Sequence, residues 1–388
     1  MEVAEVDMAE ASAAQDGLVL VLNSGSSSLK FGLYRRGASD EDPILVGSAD
    51  GIGRDDGSLQ IRSSDGTTLV RRDGIQESQG DAVRALAAAM REHAGSAPAA
   101  VGHRVVHGGP GLCSHQVITP AVLEQLRSAV HFAPLHIPQA LSLMAAAQAI
   151  FPVAAQFACF DTTFHQTIPE VAAHLPLPQR YFEAGVRRYG FHGISYESLV
   201  HHFAAKLPRR AIFAHLGNGS SLCAVRDGKS IDTTMGLTPT GGIPMGTRSG
   251  DLDPGVVLYL LRNEKLDADA LEDLLNHQSG LFAFSSGEGD VKALQERVRA
   301  NDPAARLALD AFAVAVRKTI GAYVALLGGV DLLVFTGGIG EHSAQVRSAA
   351  TDGLDVLGLT PDKIQIVATE EERQIARHCR QMMMANRG

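Results

Sequence analysis

The sequence predicts an α/β fold built twice over, and two stretches carry that expectation. Residues 18–22 are an unbroken apolar run. The run breaks into the polar turn Asn23-Ser24-Gly25-Ser26-Ser27-Ser28, and residues 29–34 turn apolar again. In the second half, residues 211–216 are apolar apart from His215. They break into Gly217-Asn218-Gly219-Ser220-Ser221 and return as the apolar 222–225. Apolar runs of this length read as strands buried on both faces. A Gly- and Ser-rich turn between two strands can offer backbone N–H groups and hydroxyls to phosphate oxygens, and it also describes an ordinary hairpin. The repeated strand, polar turn and strand suggest a duplicated domain, each copy presenting its turn to a shared cleft.

The remaining elements follow from periodicity and punctuation. Residues 43–72 alternate short apolar pieces with Gly and Asp, as in an antiparallel meander. Residues 81–93 have helical spacing, 99–106 read as a strand running into H-R-V-V-H-G-G, and 120–130 as a helix with Pro120 at its first position. Residues 138–150 form another helix, and the strand 153–160 ends at Asp161. A helix is expected over 195–207 with Ser195 as its N-cap. Asp227-Gly228 is a hairpin turn into 230–233. Helices follow at 267–277 and 302–327, a buried strand at 330–335 leads into the loop T-G-G-I-G-E, and 368–384 is a terminal helix. The domains expected are 17–161, with the tail helix of 368–388 packing back on it, and 162–367. Residues 1–16 read as a loose extension.

Composition narrows the function classes. The chain has 388 residues, 45% hydrophobic and 20% charged, which is ordinary for a globular protein of two or more domains. A net charge of −9 argues against a nucleic-acid surface. The four cysteines show no C-x-x-C pair and read as reduced thiols of a cytoplasmic protein. No apolar run is long enough for a membrane span, and the acidic N-terminus lacks the basic region of a signal peptide.

Several nucleotide motifs are missing. The opening turn lacks G-x-x-x-x-G-K-[ST], and neither Gly217-Asn218-Gly219 nor the turn at Gly337 has the dinucleotide spacing. The 15 histidines show no metal-ligand spacing. What remains is a set of polar strand ends, at Asn23, Asp161, Gly217 and Gly337. Ligands of α/β folds sit outside the carboxyl ends of strands. Such turns suit a nucleoside triphosphate and its metal better than a hydride carrier. Arg104, in V-G-H-R-V-V-H-G-G, and Arg248, in M-G-T-R-S-G-D-L-D-P, carry the planar fork that grips phosphate or carboxylate, or else form surface salt bridges. Asp161 is either a metal carboxylate or a helix cap. His192, in R-R-Y-G-F-H-G, is catalytic or structural, and His215 reads first as a core residue.

The chain resembles the acetate kinases, of the acetate and sugar kinase, heat-shock chaperone and actin superfamily. N-S-G-S-S-S-L-K, H-R-V-V-H-G-G, A-P-L-H-I-P, F-D-T-T-F-H, R-R-Y-G-F-H-G, H-L-G-N-G-S-S, M-G-T-R-S-G-D-L-D-P and T-G-G-I-G-E occur in the family's order. The resemblance implies two ribonuclease-H-like domains flanking an active-site cleft, a homodimer, ATP and Mg²⁺ (with Mn²⁺ as a substitute), and transfer of phosphoryl from ATP to acetate. It places Asn23, Ser26 and Ser28 near the transferred phosphoryl group, with Lys30 on the same turn. Arg104 and Arg248 serve the carboxylate and phosphoryl oxygens. Asn23, Asp161 and Glu341 serve the metal, and His192 donates to the phosphoryl oxygens. His215, Leu216, Gly217, Asn218, Gly219 and Gly337, Gly338, Ile339, Gly340 hold nucleotide phosphates, and Asp290, Val291 and Lys292 the adenosine. Val106, Leu135, Phe191 and Pro239 line the methyl pocket. The chain departs from the family at Ile137, Gly241, Pro244, Tyr196 and Lys292. A propionate or butyrate kinase is the near alternative, and a chaperone- or actin-like nucleotide-binding protein the remote one.

Overall fold

The structure is a computed structural model and describes residues 17–25, 28–74 and 77–385. Ser26 and the extension 1–16, singled out above, lie outside the described residues. The chain divides into two compact units, Met1–Thr163 with Glu370–Gly388, and Phe164–Thr369.

The first unit is an eight-stranded sheet in the order β5-β4-β3-β2-β1-β6-β8-β7. Its strands are β1 Val19–Ser24, β2 Ser28–Arg36, β3 Glu41–Asp50, β4 Ser58–Ser63, β5 Thr68–Asp73, β6 Ala100–Val105, β7 Gln116–Val117 and β8 Ala155–Phe160. β1 pairs antiparallel with β2 and parallel with β6, and β6 pairs parallel with β8. Every residue of β1 is buried, as its unbroken apolar run requires. Helices α1 (Gln79–His93) and α2 (Ile137–Ile150) cover one face, where Val83, Leu86, Leu143 and Ala147 join Leu20, Leu22 and Val101 in one core. The C-terminal helix Glu371–Ala385 packs on β1 and β6. It is anchored by Arg377 on Asp40 and by Arg380 on Glu41.

The second unit is a five-stranded sheet in the order β11-β10-β9-β12-β13. Its strands are β9 Arg210–Leu216, β10 Ser220–Arg226, β11 Lys229–Thr233, β12 Leu332–Thr336 and β13 Ile364–Ile366. The first three are antiparallel neighbours, and β12 and β13 add in parallel. β3-β2-β1-β6-β8 of the first unit has the same order and the same directions, so the fold is indeed one α/β topology used twice. Helix α3 (Gly193–Phe203) puts Tyr196 and Leu199 on one face, against Phe213 and Val225. The long helix α4 (Pro303–Leu327) covers the other with Phe312, Val316 and Ile320. α4 starts where Asp302 accepts from Ala304 N and Ala305 N, and ends at Gly328 with φ 73°.

Two expectations need correction. Ser195 is not an N-cap. α3 starts two residues earlier, with His192 as the N-cap at φ 57°, and the Ser195 hydroxyl is engaged by His215 instead. The T-G-G-I-G-E segment is not a loop, because it folds directly into the short helix α5 (Gly337–His342).

Candidate active site

In the first unit the parallel neighbours β1, β6 and β8 end side by side, which brings Asn23, Arg104 and Asp161 together from three distant parts of the sequence. Arg104 donates from Nε and Nη2 to Asp161 Oδ2 at 3.0 and 2.5 Å, and from Nη1 to Asn23 Oδ1 and the Ser24 carbonyl at 3.3 Å each. The Asp161 side chain is 1% exposed. Its carboxylate therefore holds the guanidinium in place. Burial works against the Arg104 charge, but Asp161, Glu371 and Glu372 outweigh it and keep the group a cation.

Glu371 and Glu372 were not singled out in the sequence. Asn23 Nδ2 donates to Glu371 Oε2 at 3.0 Å and to Glu372 Oε1 at 2.7 Å. Burial first, and the Glu371 charge next, raise the proton affinity of Glu372, while Lys30 opposes them. Glu371 and Glu372 are half-buried and share Asn23, and a pair of hard carboxylate oxygens of this kind suits a divalent cation. Lys30 is exposed and Ser28 half-buried. Gln79, also unforeseen, donates to Ser24 Oγ at 2.9 Å and the Gly25 carbonyl at 3.1 Å, and so ties the opening turn to α1. Ser24, Gly25, Arg104, Val106, His136, Gln139 and Ala140 line a small pocket beside these groups. Val106 thus shares a pocket with Arg104, as its position two residues on implies, and Leu135, half-buried, adjoins the pocket residue His136 in sequence.

In the second unit the Gly217-Asn218-Gly219 turn, between β9 and β10, is the focus. His192 and His215 stack with ring centroids 4.2 Å apart. Each is held at Nδ1 by a serine, His192 by Ser221 Oγ at 2.9 Å and His215 by Ser195 Oγ at 2.8 Å. Their Nε2 atoms face the turn. A Cβ added at Gly219 would lie 3.3 Å from both His192 Nε2 and Arg248 Nη1, and one at Gly217 would lie 3.8 Å from His215 Nε2. Gly219 is therefore the close approach that lets a ligand reach His192 Nε2 and Arg248 Nη1 together. Arg248 donates to the carbonyl of Pro239 at 3.2 Å. Its loop is pinned by Met245 N to the Arg248 carbonyl and by Ser249 N to the Leu275 carbonyl.

His192 occupies the left-handed region, which a non-glycine residue adopts at a cost of roughly 1–3 kcal/mol. The brace is visible. His165 bonds the Phe191 carbonyl at 2.9 Å and Ser230 Oγ at 2.8 Å. Burial lowers the His165 pKa to about 4, so it stays neutral and structural. Phe191 is 1% exposed and Pro239 is buried, so each serves its unit's packing as well as any pocket.

The nucleotide segments divide by burial. Leu216 and Val291 point into the core of the second unit, so only their backbone is open to a ligand, and Ile339 packs against the same core. Gly337, at φ 77°, brings α5 against β9, where a Cβ would lie 2.7 Å from the Leu216 carbonyl oxygen. Gly338 N lies 4.0 Å from the Cβ position of Gly217, and Gly340 is buried behind it. The Asn218 carbonyl accepts from Gly246 N at 3.3 Å, and Gly246 adjoins Gly289, next to Asp290. Asp290 caps the helix Val291–Arg299 by accepting from Ala293 N, and Lys292 is exposed. Glu341 Oε1 accepts from Gly337 N and Thr369 N at 3.0 Å each, so it braces this turn.

The profile of the Acetokinase family matches residues 18–384. The acetate kinase of Thermoanaerobacterium thermosaccharolyticum is 40% identical over 371 residues, covering 92% of each chain. That of Methylocella silvestris is 37% identical over 393 residues, covering 93% of this chain and 96% of its own. Among solved structures, Porphyromonas gingivalis acetate kinase superposes with a TM-score of 0.83 at 32% identity, over 95% of this chain and all of the other. A propionate kinase from Francisella tularensis superposes at 0.87 and 33% identity, over 94% of this chain and all of its own. With a profile match across nearly the whole sequence and relatives this similar over nine-tenths of it, the chain belongs to the acetokinase family.

Proposed function

We propose that the chain is an acetate kinase, transferring the γ-phosphoryl group of ATP to acetate, reversibly, to give acetyl phosphate and ADP. The observation that carries this reading is the convergence of His192 Nε2 and Arg248 Nη1 on Gly219, at the turn between β9 and β10. Acetate is ionised at pH 7, so its oxygen attacks phosphorus without a general base. The protein's task is to bring anions together and to neutralise charge on the equatorial oxygens. Arg104 and Arg248 supply planar forks, and His192 supplies a donor at Nε2. The backbone of 217–219 and 337–338 holds nucleotide phosphates. Asp161 keeps the Arg104 fork aimed. Glu371 and Glu372, with Asn23 beside them, would hold Mg²⁺ or Mn²⁺, which when bound neutralises phosphate charge. Glu341 is assigned the support of the Gly337 turn.

Val106 walls the acid site, and the likeness to a propionate kinase supports the three-carbon acid as a second substrate. The chain acts in the cytoplasm, where ATP is supplied, and as a homodimer. The support for the dimer is an apolar surface: Leu252, Val256, Leu258, Tyr259 and Leu261 are all exposed on or beside the helix Pro254–Asn263. The test is ADP release with formate, acetate, propionate and butyrate. Turnover should require an acid and be fastest with acetate, with propionate within about 1–3 kcal/mol in kcat/KM. Release indifferent to the acid would make the chain a chaperone-like ATPase.

A further inference from the structure

We propose that Tyr196 is a positioning residue for phosphoryl transfer, acting on His192 through the Ser221 hydroxyl. The inference rests on the assignment of His192 to the phosphoryl group. Tyr196 follows His192 by one helical turn, its amide donating to the His192 carbonyl at 3.0 Å. Its phenol oxygen lies 2.5 Å from Ser221 Oγ and 2.9 Å from the Ser221 carbonyl oxygen. Ser221 Oγ lies 2.9 Å from His192 Nδ1. The three side chains form one chain of hydrogen bonds that ends on a backbone acceptor.

The phenol ring is fixed. It is fully buried, stacks on Phe213 at 6.1 Å, and meets His165 edge-on at 5.7 Å. Burial raises its pKa well above the ordinary value, so it remains a hydroxyl. A hydroxyl donates one proton and accepts others, and this sets what the pair can do for His192. When the phenol donates to the Ser221 carbonyl, its oxygen accepts the Ser221 proton. Ser221 Oγ then accepts Nδ1–H of a charged imidazole. When the phenol donates to Ser221 Oγ, the Ser221 proton turns to Nδ1 of a neutral imidazole. In both arrangements Nε2 keeps its proton, and Nε2 is the atom that faces Gly219 beside Arg248. Without the phenol, Ser221 loses the partner that completes either arrangement, and the ring is held by one bond to a hydroxyl free to turn. His215 has no such phenol. Among the described residues its serine, Ser195, has the Thr369 hydroxyl as its further partner, at 3.4 Å.

The experiment compares Tyr196→Phe, Ser221→Ala and the double variant in the full-length protein. Tyr196→Phe should lower kcat about tenfold in both directions, the scale of one lost hydrogen bond, with KM for ATP and for acetate unchanged within about twofold. Ser221→Ala should give a similar loss, and the double variant no further loss, because the two act in series. Ser221→Thr, which keeps the hydroxyl, should retain more activity than Ser221→Ala. In ¹⁵N spectra His192 Nε2 should pass from protonated to a mixture of protonated and bare on removal of the phenol. An unchanged kcat in Tyr196→Phe overturns the proposal, as does a lower melting temperature with kcat of the folded fraction and the His192 spectrum unaltered. Should Tyr196→Phe fail to fold, the Ser221 pair decides alone, and equal rates in Ser221→Ala and the parent overturn it. His192→Ala separates the two levels. Acetate-dependent turnover that survives it sinks the role of His192 in the proposed function and the relay with it, whereas a silent Tyr196→Phe beside an inactive His192→Ala sinks only the relay.

Discussion

Arg248 donates to the Pro239 carbonyl and faces the turn at Gly219. Its replacement should therefore be felt in the rate more than in the fold. Arg248→Ala should lower kcat by roughly a hundredfold or more, the scale of losing one donor to transition-state charge. Arg248→Lys should recover little, since it lacks the fork. Steady-state kinetics with a melting curve check this, and near-parental kcat would return Arg248 to a structural role. Asp161 was legible in the sequence because it closes an apolar run, and Arg104 because its planar fork lies near the end of another strand, where ligands gather. Glu371 and Glu372 were not. They lie 348 and 349 positions from Asn23, in a tail whose mixed pattern says helix but not where the helix docks. Tyr196 was noted only as a departure from the family, since nothing local says that its hydroxyl reaches Ser221 on another element.

At the scale of elements, the docking of the C-terminal helix is the most exposed to test. Arg377 donates to both oxygens of Asp40, at 2.8 and 2.6 Å, and Arg380 to both of Glu41. The Arg377 bonds pull the Asp40 pKa from 3.8 to about 2. A carboxyl depressed in the folded state contributes stability above its unfolded pKa and loses it as pH falls through the folded one. Helix docking should thus weaken between about pH 4 and pH 2, and Asp40→Asn should remove that part of the acid dependence. Unfolding curves across this range check it, and an unaltered acid limb in Asp40→Asn would contradict it. Arg380 and Glu41 are each 6% exposed, so Glu41→Ala should cost about 3–5 kcal/mol by leaving a buried cation without its partner. Strands and most helices were readable because their apolar spacing decides them locally. The start of α3 was not. His192 is held at positive φ by His165 from an earlier segment, and local signals pointed to Ser195 instead.

At the scale of the molecule, the duplication was legible from two turns, and the register of the sheets makes it an equivalence of strand order and direction. The family resemblance implied a homodimer but not its surface, because the apolar residues of Pro254–Asn263 follow the same spacing whether a helix faces its own core or another copy. Sedimentation of the parent should give twice the chain mass, and Tyr259→Glu with Leu258→Glu should give one; a monomeric parent would refute the assignment. The central claim is transfer of phosphoryl to a carboxylate, and ³¹P NMR of the protein with ATP, Mg²⁺ and acetate addresses it directly. The account predicts an acetyl phosphate resonance rising in step with ADP, reversed by added ADP and acetyl phosphate, and no signal growth without acetate. Inorganic phosphate appearing at the same rate with and without acetate, and no acetyl phosphate, would contradict it.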